Sequence, residues 1–303
     1  MLRLAELARI ITRRLAPRLV MAWCVGMAGC DRGGETAEPV PRIEVVATVY
    51  PLADIARQVG GQWVNVRAFL EGGQDPRNLT VSDNQRKQLR DANIVLTSGY
   101  DDSWTKELGG RNYRLEHLLG PQQTNTGKKD ALAIGGQGDL WLDMKVAGEF
   151  ADLVADRLSI RDPQHGDEYH QRAAAFKDEV EQLDGEFRAA LAQTGQKKFL
   201  SARPTWGALA HCYGLEEIAP GDTVAWRLTP QAVLALRHAA RENQTDVLAV
   251  DTDLPPAEQA HIQAQTGLRL LRLDACGSSA SDGRSTYIRL MRYNLEELRR
   301  ILK

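Results

Sequence analysis

The chain alternates between two hydrophobic rhythms. Short β-branched runs at Ile43–Thr48, Val64–Phe69 and Ile94–Thr97 read as buried strands. Between them, Leu52–Val59 and Asp83–Ala92 carry helical spacing; Tyr50-Pro51 ends the first strand and Gly60-Gly61 stops the first helix. Strand and helix in turn predict an α/β lobe with a mainly parallel sheet. Residues 120–138 are polar, contain glycines and show no period, so they read as a loop; a helix is expected from about Lys145 to Leu158.

The longest periodic stretch follows. Asp162-Pro163 supplies an N-cap and a first-turn proline. Apolar residues then recur at Tyr169, Ala173, Phe176, Val180, Leu183, Phe187 and Leu191, one face of a single helix closed by Gly195. Such a helix is about 45 Å long, enough to join two lobes as a stiff strut. Beyond it, Lys198–Ser201, Glu217–Ala219, Val247–Val250 and Leu270–Leu273 predict strands, and Pro230–Arg241, Pro256–Thr266 and Thr286–Leu302 predict helices. The fold class expected is therefore α/β, two lobes joined by one long rigid helix with a ligand cleft between them.

The N-terminus changes the picture. Arg3, Arg9, Arg13, Arg14 and Arg18 precede an apolar run, Leu19–Gly29, that stops at Cys30. The run is too short to span a bilayer but suits a secretory signal. Met27-Ala28-Gly29-Cys30 resembles a bacterial lipobox, in which Cys30 carries the lipid. The expected layout is a lipoprotein signal peptide at 1–29, a flexible tether at 30–41, an N-terminal lobe at 42–143, a helical connection at 144–195 and a C-terminal lobe at 196–303. This places the protein at the bacterial cell envelope, on the extracytoplasmic face of a membrane, lipid-anchored at Cys30. Net charge is −2, with 38 basic and 40 acidic residues, which argues against nucleic acid as a partner. Cys212 and Cys276 are the only cysteines of the body, and sequence leaves their pairing open.

Several segments resemble the zinc- and manganese-type solute-binding proteins of ABC importers, the TroA-like receptors. Val45–Leu52 is similar to their opening strand and turn, Gly73-Gln74-Asp75-Pro76 to the first ligand loop, and Ala92–Val95 to the next strand. Asp139–Asp143 resembles the second ligand segment; Tyr213-Gly214-Leu215 closes the third, Leu273-Asp274 matches the fourth, and Thr286-Tyr287 with Met291 and Asn294 resembles the final helix. The resemblance implies a monomeric receptor with two α/β lobes that delivers a small solute or metal complex to an ABC permease. It also implies zinc or manganese as cargo; no cofactor is otherwise expected.

The ligand positions depart from that pattern. Arg77 follows the Asp-Pro where the family keeps a His, Asp139 stands at the second His position, and Arg203 at the third; Asp274 alone is retained. Guanidinium is always protonated and donates only, so it offers a metal no lone pair. Bare zinc or manganese on Asp139 and Asp274 is thus at odds with its neighbours, although Asp139, Asp143 and Asp274 are oxygen ligands suited to a hard cation. The altered site reads as Arg77, Asp139, Arg203 and Asp274 taking an anion, a zwitterion or a metal complex, with Trp206 and Trp226 as stacking surfaces, Trp206 being more readily a core residue. The alternative is a ligand-free or partner-binding lipoprotein whose Arg–Asp salt bridges close the cleft. His117, His165, His170, His211, His238 and His261 lack ligand spacing, and His165 and His170 are expected on a solvated surface. No Walker loop, nucleophile elbow or zinc-protease motif is present, and Asp251 and Asp253 read as loop caps, so an enzyme is not expected.

Overall fold

The strand runs Ile43–Val49, Ile94–Thr97 and Val247–Asp251 are largely apolar on both faces, so both faces must be covered. In the computed structural model, residues 42–70, 81–97, 112–114, 139–220, 229–252, 254–279 and 283–303 are described, all within one compact unit, Val40–Lys303. The first sheet contains β1 (Ile43–Val49), β2 (Val64–Leu70), β3 (Ile94–Thr97) and β4 (Asn112–Arg114), ordered β2-β1-β3-β4. The second contains β5 (Lys198–Ser201), β6 (Glu216–Ile218), β7 (Val247–Asp251) and β8 (Arg269–Leu273), ordered β6-β5-β7-β8. All pairings are parallel. Both sheets therefore repeat one topology, with a switch point between the first and third strands.

Side chains along each strand divide between two cores, as the period of two requires. Val45, Ala47, Ile94, Leu96, Phe199, Val247, Ala249, Leu271 and Leu273 enter one continuous core. Val46 and Val95 face a small cluster with Leu89, whereas Leu200, Leu248, Val250 and Leu270 face another with Leu236 and Ile262. The helices are α1 (Tyr50–Gly60), α2 (Asp83–Asp91), α3 (Met144–Arg161), α4 (Gly166–Leu191), α5 (Gly207–Cys212), α6 (Pro230–Glu242), α7 (Pro256–Thr266) and α8 (Tyr287–Ile301). Tyr50-Pro51 thus opens α1 directly after β1 rather than forming a separate break, because proline suits the first helical turn.

The seven apolar residues from Tyr169 to Leu191 are the buried face of α4. Its bounds are narrower than the spacing predicts. A 3-10 turn, Pro163–His165, precedes it, and Asp162 is engaged sideways: its Oδ2 accepts from Tyr169 Oη at 2.7 Å and lies 2.6 Å from His165 Nδ1. At the far end the Leu191 carbonyl accepts from Lys197 Nζ and Thr194 Oγ1, which stops the helix before Gly195. The 26 residues of α4 make about 39 Å. His165 is not a solvated residue, since its ring stacks on Trp63 with centroids 3.6 Å apart. The small β4 strand is only three residues long, too short for a reading by period.

The two sheets are tied together where α8 begins. Asp54 on α1, 5% exposed, accepts from the Tyr287 backbone N–H at 2.7 Å, placing a carboxylate at the N-terminus of α8. Tyr287 Oη donates to the Trp141 carbonyl at 2.7 Å, and Tyr50 Oη donates to the Ser285 carbonyl at 2.9 Å. Burial pushes the Asp54 carboxyl above its usual range, against the opposing pull of Tyr287 N–H, Gln58 and Arg57. The folded state then holds the proton more tightly than the unfolded chain, so ionising Asp54 costs stability as pH rises from its unfolded pKa through its folded one. Asp54→Asn, which cannot titrate, is predicted to gain stability relative to wild type as pH rises above about 4 in urea unfolding; a difference that is flat or of opposite sign contradicts this.

Candidate functional site

In parallel sheets of this kind ligands approach the carboxyl ends of the strands at the switch points. Here those ends carry Thr97 on β3, Ser201 on β5, Asp251 on β7, and Asp274 immediately after β8. The Thr97 and Ser201 hydroxyls are buried and have no hydrogen-bond partner among the described residues.

Asp274 is the most completely specified residue of the region. Its backbone is bracketed by Asn294 on α8: Asp274 N donates to Asn294 Oδ1 at 2.9 Å, and Asn294 Nδ2 donates to the Asp274 carbonyl at 2.7 Å. Its Oδ1 accepts from Cys276 N at 2.9 Å and Gly277 N at 2.7 Å. This tight turn needs glycine at 277, where φ is +63° and an added Cβ would sit 2.9 Å from the Arg284 carbonyl. The other oxygen, Oδ2, faces Arg284 Nε at 3.1 Å, and the two side chains are 4% and 12% exposed. Arg284 Nη1 donates to Thr252 Oγ1 at 2.9 Å, and the guanidinium lies over the Tyr293 ring, 5.2 Å from its centroid. Thr252 Oγ1 is itself 2.9 Å from Tyr293 Oη. A buried carboxylate is thus compensated by a cation from its own lobe.

Asp139 is 5% exposed and its carbonyl accepts from Leu142 N in the 3-10 turn Leu140–Leu142. Trp141 of that turn is fully buried and donates through Nε1 to the Ala275 carbonyl at 2.7 Å, so the Asp139 and Asp274 segments run side by side. Asp143 caps α3, accepting from Lys145 N at 2.9 Å and Val146 N at 3.4 Å. Arg203 lies half-buried just after β5, in a loop clamped by Glu217, whose two oxygens accept from Thr205 N and Trp206 N at 3.0 Å each. Trp206 is 6% exposed and belongs to the main core. Asp251 ends β7, and its carbonyl accepts from Leu254 N at 3.3 Å. Arg77, Trp226, His117, Asp253 and Cys30 lie outside the described residues.

Cys212 and Cys276 are both free thiols. Burial, together with the charge and hydrogen bond of Asp143, pushes the Cys212 thiol up to about 12, which keeps it unreactive near neutrality. Among the described residues no three His, Cys, Asp or Glu side chains gather to hold a metal ion. A divalent ion on Asp274 must first displace Arg284, and separating a buried pair costs about 3–5 kcal/mol. That handicap is roughly a hundredfold to a thousandfold or more in affinity.

Reasoning from sequence missed Arg284, Thr252, Tyr293 and Glu217. Arg284 lies in the aperiodic Gly/Ser/Asp-containing stretch 277–286, and nothing in its spacing pairs it with Asp274. Asn294 was visible only as part of a motif, without its role as the backbone bracket. Asn294→Ala leaves the amide and carbonyl of Asp274 unpaired in the core; the expected loss is about 1–3 kcal/mol in chemical unfolding, and a loss below about 0.5 kcal/mol contradicts this role.

Among curated proteins, the chain is 20% identical over 307 residues to the manganese ABC transporter substrate-binding lipoprotein PsaA of Streptococcus pneumoniae, covering 92% of this chain and 95% of that one. It is 24% identical over 214 residues to the manganese-binding lipoprotein MntA of Bacillus subtilis, covering 67% of each. The fold matches the periplasmic zinc binding protein TroA of Treponema pallidum with a TM-score of 0.72 at 16% identity, covering 86% of this chain and 99% of that one. A model of the family described as zinc-uptake complex component A, periplasmic, matches residues 45–301. The chain belongs to this ZnuA family of solute-binding proteins.

Proposed function

We propose that this chain is the extracytoplasmic receptor of an ABC importer, anchored through lipidated Cys30, and that its cargo bears an oxyanion or carboxylate, free or within a metal complex, rather than being a bare divalent ion. The observation that carries this reading is the Asp274–Arg284 pair, which occupies the one carboxylate the family pattern retains. Arg77 and Arg203 stand at two further ligand positions of that pattern. Guanidinium groups hold carboxylate and oxyanion oxygens by paired N–H donation, which suits an acceptor-rich cargo and repels a dication. The unpartnered Thr97 and Ser201 hydroxyls at the strand ends add polar groups suited to the same cargo. Asp139 supplies an acceptor for an amine, a hydroxyl or a chelated metal, and Trp206 forms a packed wall beside Arg203.

Receptor function requires no bond making. Binding, orientation and release to the permease are enough, and the chain works in this reading as a monomer and not as an enzyme. Among the described residues no helix is long and apolar enough to cross a membrane, so membrane attachment falls to the proposed anchor. The internal compensation of Asp274 also favours a second reading, in which the fold serves a protein partner without a small ligand.

Thermal-shift and native mass spectrometry of the chain against dicarboxylates, phosphate, zwitterionic amino acids, metal–citrate complexes, Mn²⁺ and Zn²⁺ separates these readings. The expected result is stoichiometric binding of one anionic or chelate class, weakened at least about tenfold by Arg203→Ala. Stoichiometric, tight binding of bare Zn²⁺ or Mn²⁺ overturns the proposed cargo; binding of nothing in the panel favours the partner-binding reading.

A further inference from the structure

Arg203 stands in a short loop between the end of β5 at Ser201 and the start of α5 at Gly207. Pro204 has no N–H and pushes the residue before it towards extended backbone, which narrows the conformations open to Arg203. Trp206, at the N-cap of α5, offers no side-chain cap, so the N–H groups entering the helix take their acceptors from elsewhere. Glu217 supplies them. Its Oε1 accepts from Thr205 N and its Oε2 from Trp206 N, both at 3.0 Å. Two charge-assisted bonds to one carboxylate fix position and orientation together.

Glu217 lies on β6, which runs parallel to β5 with Glu217 beside Phe199. The chain leaves β5, passes Arg203, runs through α5, turns at Gly214 with φ +64°, and returns along β6 to grip the loop it has just left. Buried Trp206 anchors the far end of that loop in the main core. Ala202 and Pro204, on either side of Arg203, are exposed, so burial does little to hold that stretch. We propose that Glu217 is a positioning residue for cargo binding: by holding the Thr205 and Trp206 N–H groups it fixes the loop that carries Arg203. This rests on the reading that Arg203 contacts an anionic or chelate cargo, and it assigns the pre-organisation of that arginine to a carboxylate on the neighbouring strand.

Charge and position act with opposite sign here. Removing a negative charge from the Arg203 loop strengthens the binding of an anion by electrostatics alone, whereas loosening the loop weakens it. The test uses the full chain, with phosphate, succinate, glutamate and manganese–citrate as probes in titration calorimetry and folding checked by circular dichroism. Glu217→Ala and Glu217→Gln are each expected to bind the wild-type probe about threefold to tenfold more weakly. Glu217→Gln is expected to cause no further loss once Arg203→Ala is present, because residues that act through one another are not additive. Glu216→Gln, on the same strand, removes a like charge whose carboxylate pairs with Lys198 Nζ at 3.3 Å, and is expected to leave affinity unchanged. The glutamine variant, which keeps one acceptor, serves if the alanine variant does not fold.

A folded Glu217→Gln variant that binds the probe as tightly as wild type or more so, or that loses the same factor again in the Arg203→Ala background, overturns the positioning role while leaving the proposed cargo standing. Wild type that binds none of the four probes, or binding indifferent to Arg203→Ala, overturns both.

Discussion

A carboxylate almost fully withdrawn from water must be compensated on every side, and Asp274 is the point at which this constraint organises the protein. Two backbone N–H groups take one oxygen, Arg284 takes the other, and Asn294 fixes the main chain. Meeting those demands sets the path of the chain from β8 into α8. That path in turn brings Ala275 to Trp141, Ser285 to Tyr50 and Tyr287 to Asp54. The same few residues that neutralise the carboxylate thus also fasten one sheet's elements to the other's.

The chain shares its framework with the ZnuA family. Parallel sheets of identical topology present their carboxyl ends, and Asp274, which resembles the family's final ligand aspartate, stands just after β8. In this chain its partner is a guanidinium fixed by a hydroxyl and an aromatic face rather than a mobile ion. In the proposed reading, recognition falls to groups that donate hydrogen bonds, among them Arg203 and the strand-end hydroxyls.

Most of the fold was legible because burial and periodicity coincide. The α4 face from Tyr169 to Leu191 and strands such as Lys198–Ser201 follow from spacing and side-chain type alone. What escaped depends on contacts across long stretches of chain. The true end of α4 is set by Lys197 and Thr194 on a carbonyl, His165 is drawn onto Trp63 from a distant turn, and Asp54 caps a helix from the other half of the sequence. Of the candidate site, the sequence named Asp139, Arg203 and Asp274, but not the pairing of Asp274 with Arg284. Arg284 is ten residues from Asp274 in a loop without period, and only the folded turn around Gly277 makes them neighbours.

The most direct measurement is a crystal structure of the wild-type protein grown in excess Zn²⁺, with anomalous data collected at the zinc edge. The account predicts no anomalous peak at Asp274 and Arg284 Nε still within about 3 Å of Oδ2. A strong peak about 2 Å from an Asp274 oxygen, with Arg284 turned away to solvent, would contradict it.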